Sequence, residues 1–236
     1  MQTTNEQISL NVADGTVVSV YTATPSAEGT YPGIILLQEA FGVTAHIKGI
    51  ADRIAGEGYV VIAPELFHRT AEAGAKFAYN DWDNIMPHFK GLTVEGMQAD
   101  LWACYNWLQQ QANVTKEKIG SIGYCLGGRV SFIANFTLPL SAAVSYYGGG
   151  THALVEHVKD VHAPQLFVWG GLDTHILPEY IITIIAAFKE HGKAYANVVF
   201  GSADHAFNNN ERPNYNADAS AEAWALTLAF FKNKLG

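Results

Sequence analysis

In Gly123-Tyr124-Cys125-Leu126-Gly127-Gly128 a cysteine stands two positions from a glycine on either side, where an apolar run meets a helical pattern carrying Leu126, Val130 and Ile133. A nucleophile held on a sharp strand-to-helix turn requires this spacing, because the residues two positions away must be small for strand and helix to approach each other. The turn also puts Cys125 at a helix N-terminus, whose dipole and N–H groups favour thiolate and oxyanion charge. The competing reading is a buried cysteine beside a tight turn, and the residues further along favour chemistry. Asp173 closes Trp169-Gly170-Gly171-Leu172-Asp173 after one apolar run, and His205 in Ala203-Asp204-His205-Ala206-Phe207 follows the next. Nucleophile, acid and histidine in the order 125, 173, 205 make His205 a general base and Asp173 its orienter. Asp204 is the rival carboxylate, ranked lower because it directly precedes His205 and ends no strand.

The elements that must position these residues follow from periodicity. Residues 7–12 and 16–24 read as a hairpin around Asp14-Gly15. Gly33-Ile34-Ile35-Leu36-Leu37, Tyr59-Val60-Val61-Ile62-Ala63, residues 119–124, Ala142-Ala143-Val144-Ser145-Tyr146, Leu166-Phe167-Val168-Trp169 and Val198-Val199-Phe200 are apolar runs without alternation, as in strands buried on both faces. Between them, Ile47, Ile50 and Ile54, then Met97, Leu101, Cys104 and Leu108, and finally Trp224, Leu228, Phe231 and Leu235 each form one apolar helical stripe. This alternation predicts an α/β fold, a mostly parallel central sheet flanked by helices on both faces, with ligand sites beyond the carboxyl ends of the strands. No linker divides the chain, so residues 1–236 read as a single domain. Residues 67–95 break the rhythm and read as a small cap or pocket wall, with a helical excursion packed on the body as the alternative.

These signposts, together with Gln38-Glu39-Ala40-Phe41-Gly42, Ala63-Pro64-Glu65-Leu66, Tyr146-Tyr147-Gly148 and His205-Ala206-Phe207-Asn208-Asn209, span nearly the whole chain. In this order they resemble the dienelactone hydrolase (carboxymethylenebutenolidase) family of the α/β-hydrolase fold. The resemblance implies a hydrolase that opens a small lactone or ester through a cysteine acyl-enzyme, with Cys125, His205 and Asp173 as its triad. It also implies that Glu39 helps generate the thiolate when substrate binds, and that the backbone N–H groups of Leu126 and Ala40 form the oxyanion hole. A free thiol titrates at about 8.5 and needs a base or a favourable field at neutral pH, so a glutamate at a strand end has a physical task. An exposed loop acid is the competing reading of Glu39.

The resemblance has a gap. The family's archetype holds its substrate's carboxylate with two arginines, one in the cap-like region and one shortly after the histidine. Here Ala73 to Glu95 contains no arginine, Ala206-Phe207-Asn208-Asn209 follow His205, and Arg69 and Arg212 do not align by motif. Bidentate arginine pairing is not replaced by asparagine, which points to a less anionic lactone or ester, with Tyr79, Trp82 and Tyr147 as pocket lining. The alternatives are a general carboxylesterase or thioesterase on the same triad, or a ligand-binding protein of hydrolase fold without turnover.

The remaining features narrow the field. Cys104 sits on a helical stripe and reads as core, and two cysteines are too few for a disulfide framework. His152, His157 and His162 do not share one helical face and read as surface or loop residues, so no metal is expected. Gly148-Gly149-Gly150 lacks a dinucleotide fingerprint and reads as a loop, so no cofactor is expected. A net charge of −8, from 22 acidic and 14 basic residues without a basic cluster, argues against nucleic-acid binding. No run of about 18 apolar residues offers a membrane span, and MQTTNEQISL has no secretory pattern. The expectation is a cytoplasmic monomer or homodimer with a small-molecule substrate and no membrane partner.

Overall fold

Asp14 and Gly15 turn the first hairpin. The Asp14 carboxylate accepts hydrogen bonds from the Thr16 N–H (3.0 Å) and hydroxyl (2.6 Å), and Gly15 takes φ +86°. The computed structural model describes all 236 residues, which divide into two compact units, Met1–Gly120 and Ser121–Gly236. No helix is long and apolar enough to cross a membrane.

In the first unit, β1 (Thr3–Asn11) pairs antiparallel with β2 (Val17–Pro25), and β3 (Tyr31–Leu37) leads through α1 (Ala45–Gly56) to β4 (Val60–Pro64). β2 pairs antiparallel with β4, and β3 and β4 run parallel. Every residue of β4 is buried, as expected of a strand covered on both faces. Ile47, Ile50 and Ile54 form the buried stripe of α1. Next come α2 (Trp82–Lys90) and α3 (Val94–Gln110). The Thr93 hydroxyl caps α3 by accepting from the Gly96 N–H, and Met97, Leu101, Cys104 and Leu108 are buried. Cys104 is core; burial, with a smaller contribution from Asp100, pushes its thiol well above the ordinary range.

β5 (Val114–Tyr124) begins in the first unit and ends in the second. There follow α4 (Leu126–Thr137), β6 (Ala142–Tyr146), a 3-10 helix (Thr151–Asp160), β7 (Gln165–Gly170), α5 (Pro178–Glu190), β8 (Tyr195–Phe200) and α6 (Ala217–Leu235). In this unit the strand order is β5-β6-β7-β8, with β6–β7 and β7–β8 parallel.

Several details differ from the sequence expectation. β8 is an edge strand with one open side, so Val199 is 48% exposed rather than buried on both faces. A 3-10 helix follows the triple glycine, and protein fills the room at Gly148 and Gly150, while Gly149 faces open space. A Cβ on Gly148 would lie 2.6 Å from the Ser145 hydroxyl, and one on Gly150 3.0 Å from the Arg129 guanidinium. His152 and His157 lie on this 3-10 helix and stack on Tyr180 and Phe136, with ring centroids at 3.8 and 4.4 Å. The buried stripe of α6 runs through Ala223, Thr227, Phe231 and Leu235, leaving Trp224 and Leu228 half-buried.

The 67–95 segment is fixed at its root by charge. Arg69 donates to both oxygens of the fully buried Asp100 (2.9 and 2.8 Å) and twice to Asp14 Oδ2 (2.8 and 2.7 Å), tying the segment to α3 and to the β1–β2 turn. His68 Nε2 lies 2.9 Å from Asp100 Oδ1. Asp100 is fully buried and accepts from Arg69 and lies against His68, whereas Arg69 is partly exposed and keeps Asp14, so Asp100→Ala is expected to lower stability by about 1–3 kcal/mol in urea unfolding at pH 7. A loss below about 1 kcal/mol, the range of an exposed pair, would show that this root is not what holds the segment.

Candidate functional site

Cys125 is built by close packing. It takes φ 55°, ψ −114° between the end of β5 and the first residue of α4, a region L-residues avoid unless the surroundings impose it. The surroundings here are backbone. A Cβ on Gly123 would stand 2.0 Å from the Gly127 carbonyl oxygen, and one on Gly128 2.5 Å from that of Tyr146 and 2.8 Å from Gly148. The Cys125 N–H donates to the Tyr146 carbonyl at 3.1 Å, and its own carbonyl accepts from Gly128 at 3.0 Å. Leu126 opens α4, so its N–H is among those that helix geometry leaves without an intrahelical acceptor.

A second glycine pair draws two loops together. A Cβ on Gly170 would be 2.6 Å from the Asp204 carbonyl oxygen, and one on Gly171 2.7 Å from the Gly201 Cα. The Gly171 and Leu172 N–H groups donate to the carbonyls of Phe200 and Ala203, both at 2.8 Å. The loop after β7, which carries Asp173, is thereby stapled to the loop after β8, which carries His205.

The three side chains form one hydrogen-bonded line. Asp173 Oδ2 lies 2.7 Å from His205 Nδ1, and His205 Nε2 lies 3.2 Å from Cys125 Sγ. Asp173 Oδ1 accepts from the backbone N–H groups of His175 (2.8 Å) and Ile176 (3.0 Å), so both carboxylate oxygens are engaged. A carboxylate only accepts, which puts a proton on Nδ1 and leaves Nε2 to exchange one with sulfur. Asp173 and His205 are buried and Cys125 is partly exposed. Burial alone would raise the Asp173 carboxyl, but the His205 hydrogen bond and charge and the two backbone donors hold it below the usual range. Burial likewise pulls His205 down; charge on Cys125, then the bonds to Asp173 and Cys125, overcome it and push the imidazole up to about 10. Arg129, one turn into α4, is held below its usual value by burial, while charge on Cys125 acts in the opposite sense.

Tyr147 is fully buried, with φ 38°, and its ring sits 5.2 Å from that of His205 and 5.4 Å from Phe207. It backs the imidazole. Sequence reasoning did not single out His175, whose ring meets His205 edge-on at 5.5 Å; its closeness to Asp173 in the chain was the available signal.

The other sequence candidates belong to the first unit. Glu39 is fully buried, so it is not an exposed loop acid; its carbonyl accepts from Gln38 Nε2 (3.2 Å) and the Gly42 N–H (3.4 Å). Gln38 Oε1 accepts from the Leu66 N–H at 3.0 Å, which fixes this turn to the end of β4. Beside the buried Ala40, Phe41 packs edge-on against Tyr79 (4.8 Å) and Trp82 (5.5 Å). The Phe77 N–H donates to the Phe41 carbonyl, and a Cβ on Gly42 would be 2.5 Å from the Ala75 carbonyl oxygen. The 67–95 segment therefore covers the Phe41-Gly42 turn, and it does so partly as the helix α2.

Parallel strands alternating with helices in each unit, with a strand-to-helix elbow after β5, define the α/β-hydrolase class. Residues 18–235 match the model of the dienelactone hydrolase family, and the chain belongs to that family. A Yersinia pestis protein provisionally named carboxymethylenebutenolidase is 34% identical over 229 residues, covering 93% of this chain and 85% of that one. An Escherichia coli K12 protein of the same provisional name is 32% identical over 234 residues, covering 93% and 84%. Among solved structures, a provisionally described dienelactone hydrolase from Klebsiella pneumoniae superimposes with a TM-score of 0.90 at 29% identity, covering 98% of this chain and 99% of that one.

The electrostatics make a direct prediction. His205 should remain doubly protonated at pH 8 and titrate near 10, whereas Cys125→Ala, which removes the largest raising influence and leaves that of Asp173, should shift the titration to lower pH; ring 15N shifts across pH report both. The stability due to the raised value is complete below about 6.5 and is lost as pH rises through the folded value. That due to Asp173 is lost as pH falls through its lowered value. Titration of wild-type His205 near 6.5 would contradict the raised value.

Proposed function

We propose that the chain hydrolyses a small lactone or carboxylic ester through an acyl-enzyme on Cys125. The observation that carries this reading is the unbroken line from Asp173 through His205 to Cys125, at 2.7 and 3.2 Å, ending on a strained elbow. Cys125 gives its proton to His205 Nε2, and its sulfur attacks the carbonyl carbon. The negative charge moves to the carbonyl oxygen and is met by the N–H of Leu126 at the start of α4, with the N–H of Ala40 assigned as second donor by family resemblance. Collapse of the tetrahedral adduct breaks the bond to the alkoxy oxygen, which takes the proton from His205 Nε2. His205 then removes a proton from water, the hydroxide attacks the thioester, and the acid product leaves with the thiol regenerated.

Glu39 is assigned to thiolate formation on the same resemblance, supported by its full burial at a strand end. Tyr79 and Trp82, packed on Phe41, are proposed as substrate-facing wall, and Tyr147 as the support behind His205. A neutral acyl group suits the chain better than a dienelactone carboxylate. Arg69, the arginine of the segment near the cap, already serves Asp14 and Asp100, and no arginine stands in the four residues after His205.

With p-nitrophenyl acetate, Cys125→Ala and His205→Ala are each expected to lose at least about a thousandfold in kcat/KM while unfolding as the wild type does. Glu39→Gln should slow the acylation burst. In a panel of dienelactones, neutral lactones and short esters, neutral substrates should have the higher kcat/KM. Wild-type turnover by Cys125→Ala would remove the covalent mechanism, and preference for dienelactones would overturn the neutral-substrate reading.

A further inference from the structure

His205 is gripped at two ends. Its ring is held by Asp173 and Cys125; its backbone is held by a second pair of side chains that take no part in proton transfer. Asp204 Oδ1 accepts the His205 N–H at 2.6 Å, Asp204 Oδ2 accepts from Asn214 Nδ2 at 3.0 Å, and the same Nδ2 reaches the His205 carbonyl oxygen at 3.3 Å. One carboxylate and one amide thus close on both polar groups of the His205 backbone.

The loop needs such a clamp. Ala206, directly after His205, takes φ +61°, a conformation an L side chain seldom adopts unaided. Around it the chain folds back so that the Asn209 N–H meets the Ala206 carbonyl at 2.9 Å and the Asn216 N–H meets that of Phe207 at 3.0 Å. On the other side, the Asp204 backbone rests on Gly170, where no Cβ fits. Rotating the 204–205 peptide would swing the imidazole away from one of its two partners, because its two ring nitrogens are aligned simultaneously on oxygen and sulfur.

We propose that Asp204 and Asn214 are positioning residues of the hydrolytic site, a backbone clamp that sets the imidazole of His205 between Asp173 and Cys125. Asp204, the rival carboxylate by sequence, thus serves the same histidine through its main chain. The inference rests on the reading of His205 as the proton-transfer residue. It concerns kcat rather than substrate affinity, since neither clamp residue need touch the substrate.

The chemistry of the pair provides the test. Asn214→Ala leaves the Asp204 charge in place and removes only the amide that joins the two groups. Asp204→Asn sets two amides against each other, since either orientation of the new one loses a bond to His205 or to Asn214. Asn214→Asp opposes two carboxylates. The double variant Asp204→Asn/Asn214→Asp restores the side-chain pair in reverse but leaves the His205 carbonyl without its donor, so it recovers only the grip on the His205 N–H. With an activated ester, Asn214→Ala should lower kcat about ten- to hundredfold, the size of effect that small misplacements of a catalytic group produce, with KM within about twofold. The low-field resonance of the His205 Nδ1 proton should broaden. The double variant should turn over faster than Asn214→Asp, whose two carboxylates repel, a coupling a double-mutant cycle reads directly. If His205→Ala is inactive but Asn214→Ala keeps wild-type kcat, or if the reversed pair is no better than Asn214→Asp, the clamp is refuted. Wild-type activity in His205→Ala would instead refute the role of His205 on which the clamp depends.

Discussion

The arrangement depends on one steric constraint, the contact of backbone with backbone at the end of β5. With φ at 55°, Cys125 is in a conformation that costs on the order of 1–3 kcal/mol, and it persists because Gly123, Gly127, Gly128 and Gly148 let strand, helix and the turn after β6 approach more closely than any side chain would permit. The apolar body of α4, with Val130, Phe132 and Ile133 fully buried, supplies the packing that offsets the strain. The sulfur is thereby raised above the turn beside the first N–H groups of a helix, and its direction is fixed before any substrate arrives.

The same device recurs at the other partners. Gly170 and Gly171 let the acid-bearing loop lie on the histidine-bearing loop, with two backbone hydrogen bonds across the contact. Electrostatics then acts on groups whose positions are already set. Both Asp173 and His205 are buried enough for desolvation to oppose their charged forms; His205 and two backbone donors hold the Asp173 carboxyl down, while Cys125 and Asp173 push the His205 imidazole up. Behind the imidazole, the buried rings of Tyr147 and Phe207 exclude water without offering a competing polar partner on their faces.

What the sequence disclosed and what it withheld divide along local and non-local lines. The elbow, the order of Cys125, Asp173 and His205, the buried runs of β3, β4, β6 and β7 and the core position of Cys104 are all written in spacings of a few residues, and the structure has each of those elements. The preference for Asp173 over Asp204 also came from position relative to a strand; in the structure Asp173 lies 2.7 Å from His205 Nδ1, while Asp204 accepts from the His205 backbone N–H. α5 was not read as a helix because Ile181-Ile182 and Ile184-Ile185 mask its period; only Ile184 and Phe188 are buried, and Ile182 is 66% exposed. β8 was misread because an apolar run does not reveal whether its strand has a neighbour on each side. The attachment of Arg69 to Asp14 and Asp100, and of Asn214 to Asp204, joins residues whose pairing has no periodic signature.

The proposed hydrolysis passes through a covalent bond at Cys125 Sγ. Rapid acid quench of the enzyme during turnover of p-nitrophenyl acetate, followed by peptide mass analysis, observes that bond. The expected result is a single acyl group on the peptide containing Cys125, formed at least as fast as steady-state turnover and absent when Cys125 is replaced by alanine. Turnover with no acyl group at Cys125, or with the acyl group on another residue, would contradict the account.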